Sequence, residues 1–491
     1  MTSYATVLLI FSPPNWGNTA QSAAQIGATG IADCTAALSD LSDRFWMRRV
    51  SLLRARAIHR LETQDVAGAL ADLDVAAAAA HDDDAFYTRS LGLGLKLTQA
   101  YALRLKGDQA QADAIAAAAL QARPYNRQVS LSALIAIGPA GNVDVRRTAL
   151  HSLIRLSPVT AELVYEQSFD AMMFDDVVAL YPVFLDPSTI GHGETGGRSG
   201  AARRAGMYAY ALAALGRNAE ARAAIAAARQ RLATVPVESA STAADGEDTS
   251  QGPSHPPAQN TGAPVNDPIL TAWQMAVEWR IQIAEGRYAD VLKVLHAANF
   301  PKGAMAMDLV KALAAAVPPK LKSSVPALDA FRPALPADET AMMLATFFKS
   351  LPGPETAHNL PSFSDSNWLD SNGASVETEG DRIKIKFRGG DGTLTVMEEM
   401  ALLKAAEMAR AAGKTGIMVL ARHDTRYTLT TTYYGNPLRT DPNGFSTELT
   451  VVFVDPATQS DADKAVPWRT IDAGDVITQL EPVYRPGRKA H

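Results

Sequence analysis

Residues 394–424 read LTVMEEMALLKAAEMARAAGKTGIMVLARHD, and the reading of this stretch decides the fold of the C-terminal part. Val396, Met400 and Leu403 recur at helical spacing, and at about 100° per residue Glu407 falls among them, with Glu399 and Arg410 close on the same side. Thr393 or Thr395 is placed to cap this helix, with Glu398 or Glu399 in its first turn, as capping and the helix dipole favour. GKTG ends it, and IMVLARHD reads as a strand. Glu407 is then a catalytic carboxylate, a buried ion-pair partner or a group at a solvated edge.

Outward from the helix, RIKIKF at 382–387 alternates and reads as a strand with Ile383, Ile385 and Phe387 on one face. TRYTLTTTYYG reads as a second strand after the helix and FSTELTVVFVDP as another. The order strand, helix, strand, strand, strand implies a small α+β domain, one long helix covering one face of a mostly antiparallel sheet.

Upstream the text is alanine-rich and helical. Residues 100–124, 210–233 and 279–301 each carry a helix, a turn at Gly107, Gly216 or Gly286, and a second helix with small residues behind it: Ala112, Ala116 and Ala119, then Ala221, Ile225 and Ala228, then Val291, Leu295 and Ala298. The stretches from His59, with Gln64 at the turn, and from Ile26 read as further copies. Hairpins of this kind leave an apolar face that a neighbouring hairpin covers, which implies a helical solenoid. The pattern resembles the tetratricopeptide repeat, with Ala100, Gly107, Ala112, Ala119 and Pro124 matching its small, turn and terminal proline positions.

The whole chain divides into a candidate degenerate signal or N-terminal segment at 1–19, a helical array at 20–238, and a Ser/Pro-rich linker at 239–268. A further repeat follows at 269–318, a proline-rich connection at 319–358, and the α+β domain at 359–487. The fold class is mainly α. The N-terminal apolar run lacks a positive n-region and is too short to span a membrane, and no other stretch reads as a transmembrane segment.

The C-terminal segments RIKIKFRGG, 401–424, FSTELTVVFVD and TIDAGDVITQLEPV resemble a family of small alphaproteobacterial envelope lipoproteins. The matching positions are Leu403, Lys404, Ala405, Ala406, Glu407, Arg422 and Asp424, then Asp472, Val476 and Leu480. The resemblance implies a cell-envelope or periplasmic setting, ahead of a cytoplasmic one, and no catalytic residue. The family's lipid-attachment cysteine is absent here, which leaves membrane association open.

Composition narrows the chemistry. Against 46 Lys+Arg stand 52 Asp+Glu, a net charge of -6, and this argues against nucleic acid as the main partner. One cysteine, Cys34, allows no intrachain disulfide and no four-cysteine metal site. No cofactor or metal is implied. The strongest ionisable cluster is Glu399, Glu407, Arg410, Arg422, His423, Asp424 and Arg426. Arg422, Asp424 and Arg426 share one strand face and His423 takes the other. Glu407 and His423 could form an acid–base pair, but a Glu407 carboxylate paired with Arg422 or Arg410, fixing helix to sheet, is the stronger reading.

A glycine-rich loop offers His192 and Glu194, followed by Arg203 and Arg204, without the lysine or preceding strand of a phosphate loop. Tyr427, Tyr433 and Tyr434 with Arg426 and Arg439 could stack bases, and equally pack a sheet. There is no G-x-S-x-G elbow. Three functions remain as expectations: a scaffold whose helical groove binds a protein or peptide, a hydrolase or ligand-binding enzyme using the C-terminal cluster, and an architectural envelope component.

Overall fold

The computed structural model describes residues 23–81, 84–185, 197–233, 267–297, 299–333, 337–355, 360, 372–390, 393–433, 436–455 and 466–485. The N-terminal segment, most of the 239–268 linker and Ala298 lie outside them. The chain forms two compact units: Met1–Gln167 with Leu335–His491, and Ser168–Ala334. The C-terminal module therefore shares a unit with the first helices of the array, a division the sequence reading does not make.

Helices α1 (Ala23–Ser39), α2 (Trp46–Glu62), α3 (Val66–Ala78), α4 (Ala85–Arg89), α5 (Leu91–Lys106), α6 (Gln109–Ala122), α7 (Arg127–Ile137), α8 (Val143–Leu156) and α9 (Ala161–Asp170) follow in order. Capping side chains set the starts of α3, α4, α7 and α8. Asp65 accepts from the Gly68 N–H, Asp84 from Phe86 and Tyr87, Asn126 from Val129, and Asn142 from Asp144 and Val145. Each such cap is worth about 1 kcal/mol. The buried faces behind the turns are rich in alanine, Ala69 and Ala76 beside Leu73 in α3 and Ala112, Ala116 and Ala119 in α6.

The second unit contains α10 (Phe174–Leu180), α11 (Gly197–Ala214), α12 (Asn218–Leu232), α13 (Pro268–Ala284), α14 (Tyr288–Leu295) and α15 (Ala304–Ala316). Phe169, Phe174, Tyr210 and Trp273 meet edge-on or tilted at its centre. A Cβ at Gly206 would fall 2.1 Å from the Trp273 ring, so only glycine lets α13 lie this close to α11. Buried Asp308 accepts from the Tyr210 hydroxyl at 2.9 Å and Arg280 Nε at 3.0 Å. Burial first, then Asp308, pushes the Tyr210 hydroxyl well above its ordinary pKa.

Five helical hairpins turn in the same way. Gln64, Gly107, Met172, Gly216 and Gly286 all have positive φ, between 58° and 96°. The next residue's N–H returns to the carbonyl five positions back: Asp65 to Arg60, Asp108 to Leu103, Met173 to Ser168, Arg217 to Leu212 and Arg287 to Gln282, all at 2.8–2.9 Å. This is the Schellman closure, which satisfies carbonyls orphaned at a helix end. The three glycines and Gln64 stand where the sequence places the turns; Met172 is a fifth that lacks the glycine signal.

Completing the first unit are α16 (Ala337–Ser350), β1 (Gly373–Glu379), β2 (Arg382–Gly389), α17 (Leu394–Ala411), β3 (Gly416–Tyr433), β4 (Asn436–Val454), β5 (Ile471–Asp472) and α18 (Ala473–Tyr484). The five strands are antiparallel in the order β1-β2-β4-β3-β5. Four expectations need correction. The 319–358 connection contains α16, whose Phe347 is fully buried and stacks on Tyr101 at 4.8 Å. Strand β1 precedes β2 and was not expected, because GASVETE is a polar edge strand without apolar alternation. The stretches read as two strands after the helix are one, β3, because His423, Asp424 and Thr425 keep their pairing with Glu448, Thr447 and Ser446.

The fourth correction concerns α17. Its apolar side is where the sequence puts it, with Val396, Met400 and Leu403 buried, and Ile385 and Phe387 of β2 are buried beneath it. Yet α17 does not merely cover a sheet. Thr395 through Leu403 are all buried, so the helix is enclosed around its circumference. Tyr125 and Leu156 of the helical part belong to the same core as the sheet, α17 and α18. Thr393 caps the helix, accepting from the Val396 N–H at 3.3 Å, but Glu398 and Glu399 stand in the second turn and not the first.

The turns yield a test of backbone strain. A Cβ at Gly107 would meet nothing within 4 Å, so Gly107→Ala carries only the conformational penalty of a left-handed side chain. Denaturant unfolding should show it about 1 kcal/mol less stable, and Gln64→Gly more stable by a similar amount.

Candidate functional site

An enclosed helix has no direction in which to send a carboxylate to water, yet α17 carries two in succession. Glu399 is 0 % exposed and faces Arg123, also 0 % exposed, at the end of α6. Arg123 Nε lies 2.7 Å from Glu399 Oε1 and its Nη2 3.0 Å from Oε2, a two-pronged pairing. The remaining Arg123 donors reach the Arg89 carbonyl at 2.7 Å and Glu355 at 3.1 Å. Arg89 adds a longer contact to Glu399 at 3.3 Å, and the Tyr484 hydroxyl of α18 donates to Glu399. Glu355 in turn accepts from Thr393 Oγ1, at the cap of α17.

Glu398 points elsewhere. It pairs with Arg422 of β3 and accepts the Arg127 backbone N–H at 3.1 Å at the start of α7. Arg422 Nε reaches Asp424 at 2.9 Å, and Arg127 Nη2 reaches the same carboxylate at 3.0 Å. Thr447 Oγ1 on β4 donates to Asp424 at 2.9 Å. Each set, Arg89–Arg123–Glu355–Glu399 and Arg127–Arg422–Glu398–Asp424, holds two cations and two anions. Burying charge is costly unless it is paired and hydrogen-bonded. Both quartets balance in charge, while Glu398 Oε2 and Arg422 Nη2 in the second are buried without a hydrogen-bond partner among the described residues.

The titration behaviour follows. Burial raises the Glu399 carboxyl, but Arg123 and Arg89 outweigh it and hold the group below the usual carboxylate range. Burial opposes ionisation of Asp424 as well, and Arg422 and Arg127 reverse it. Burial works against the Arg422 charge, yet Glu398 and Asp424 drive its pKa up. Tyr484 is pushed well up, first by burial and then by Glu399.

Of the residues singled out in the sequence, Glu399, Arg422 and Asp424 join these quartets. Glu407 is half-buried, its side chain 23 % exposed, and pairs with Arg485 just after α18. The expected pairing with Arg422 gives way because Arg422 is held by Glu398 and Asp424. Arg410 and Arg426 are exposed. His423 is exposed on the outer face of β3, opposite Glu448, whereas α17 packs on the inner face, so no Glu407–His423 pair forms. Tyr427 lies under the Arg388 guanidinium at 4.0 Å. Arg204 is buried with its guanidinium 5.3 Å from the Phe184 ring, and Arg203 is half-buried. His192, Glu194 and Tyr434 lie outside the described residues.

The sequence reading missed Arg123, Arg127, Glu355, Glu398, Tyr484 and Arg485 as partners. One signal was present: the adjacent acids in VMEEMALL are flanked by apolar residues on both sides, which demands partners from other elements. The arginines of QARPYNRQ carry no comparable mark. Among the described residues no group of three or more His, Cys, Asp or Glu could hold a metal ion. Chemically, the arrangement neutralises and positions: each carboxylate is paired with at least one guanidinium.

Breaking either buried pair leaves an uncompensated charge. Glu399→Leu and Arg123→Met are each expected to lose about 3–5 kcal/mol, and the double variant to regain most of it. Because the folded pKa values of Glu399 and Asp424 lie below their unfolded ones, their contribution is present at neutral pH and lost as pH falls below about 4. Acid unfolding of Glu399→Gln should therefore show a shallower pH dependence in that window. The chain matches no protein family, no curated protein and no solved structure.

Proposed function

We propose that the chain is a protein-interaction scaffold, its helical hairpins stacked as a solenoid that offers a groove to a protein or peptide. A cell-envelope setting belongs to the same proposal and rests on the C-terminal resemblance. One observation carries the reading. The carboxylates of the strongest ionisable cluster, Glu399, Glu407 and Asp424, are paired with arginines and its histidine faces away from them, which supports a role in positioning elements instead of meeting a substrate. What the hairpins leave to solvent includes large apolar side chains, Val75 and Leu105 in the first unit and Leu215 and Met275 in the second. Among the described residues no helix is long and apolar enough to cross a membrane.

Crosslinking followed by affinity isolation from the native organism, with cell fractionation, tests the proposal. A protein partner should be recovered with the wild-type chain and equally with His423→Ala, and less with Leu105→Asp or Val75→Asp. Recovery of no partner from any fraction would sink the scaffold.

A further inference from the structure

The β3–β4 ladder outruns the sheet that contains it. Pairing of β2 with β4 stops at Gly389 and Phe445, and β5 meets β3 only at Gly416 and Ile417. The β3–β4 pairing continues from Thr428 and Pro442 to Tyr433 and Asn436. Among the described residues this extension is a two-stranded ribbon, with a backbone edge on either side. A two-stranded ribbon alone is marginal in water, and an open edge is a template for another strand.

The edges are not alike. At the far side of the sheet, β1 carries the exposed Glu377 and Glu379, charges of the kind that block edge pairing. The β4 edge of the ribbon carries Pro437 and Pro442, which have no N–H to offer a further strand. The β3 edge has neither device. Residues 428–433 read TLTTTY, with no charge, no proline, no glycine and a run of good strand formers.

We propose that this edge joins two copies of the chain, residues 428–432 of β3 pairing antiparallel with the same residues of a second copy about a two-fold axis. The run suits itself. With the axis through Thr430, Thr430 stands opposite its own copy, Leu429 opposite Thr431 and Thr428 opposite Thr432, so no like charges oppose and each strand supplies the other's missing hydrogen bonds. A two-fold contact uses the same patch twice, needs no second gene product, and turns two marginal ribbons into one four-stranded sheet.

Sedimentation equilibrium of the full chain across a dilution series is the test. The wild type should approach twice its 52.2 kDa at high concentration and dissociate on dilution. Thr430→Lys and Thr430→Pro should remain monomeric throughout, while Thr440→Lys, on the strand whose edge is already blocked, should still dimerise. Matching circular-dichroism melts confirm that the variants are folded, and Thr430→Lys keeps the ribbon's own ladder if the proline variant does not fold. A wild type monomeric at every concentration overturns the proposal, as does a dimer that survives Thr430→Lys. A monomer that still captures a foreign partner overturns it while leaving the scaffold reading standing.

Discussion

The ion pair between Arg123 and Glu399 is the constraint on which the first unit depends. Arg123 closes a helix of the alanine-rich array, and Glu399 sits inside a helix almost three hundred positions later. Neither is exposed at all, so neither charge has water to fall back on. Desolvating two ions costs several kcal/mol each, and only close geometry with further hydrogen bonds recovers it. Arg89, Glu355, Thr393 and Tyr484 supply those bonds. The consequence is architectural: the C-terminal module is completed by the helical part, and Tyr125 and Leu156 fill its core from outside its own sequence.

The hairpins obey a different rule, one of backbone and not of charge. Five turns adopt one geometry, a left-handed residue followed by one near φ -85° and ψ 65°. Glycine serves at three, but glutamine and methionine serve at the others, so the closure of the helix end outweighs the steric penalty of a side chain there. The same turn therefore forms at Gln64 and Met172, where the glycine signature is missing. Alanines behind Gln64, Gly107 and Gly216 then permit close helix approach.

That contrast explains what could be read beforehand. Ile385 and Phe387, Val396, Met400 and Leu403, and the alanines behind Gly107 and Gly216 are buried as their periodicity implies, since local period follows directly from helix and strand geometry. Strand β1 and helix α16 were missed because one is a polar edge and the other is introduced by prolines. The partners of the acidic residues were illegible for a deeper reason. Glu407 was singled out because its own helix placed it among apolar residues, but the more deeply buried acids are Glu398 and Glu399. Their environment comes from α6, α7, β3 and α18, elements that no local period connects.

Why such a joint should use charge at all follows from the geometry of two consecutive glutamates. Adjacent helical residues point about 100° apart, so Glu398 and Glu399 engage different walls: Glu398 meets β3 and the start of α7, Glu399 the end of α6 and α18. An apolar face tolerates a small rotation or a shift of the helix, because one aliphatic contact replaces another at little cost. Two ionised groups in divergent directions do not. Turning α17 by one position would set Met397 against the Arg422 guanidinium or Met400 against that of Arg123, and leave that arginine and one glutamate without partners. The paired acids therefore fix both the rotation and the height of the central helix. Apolar burial, which surrounds them on α17, supplies cohesion, while the quartets decide which of many cohesive arrangements is the native one.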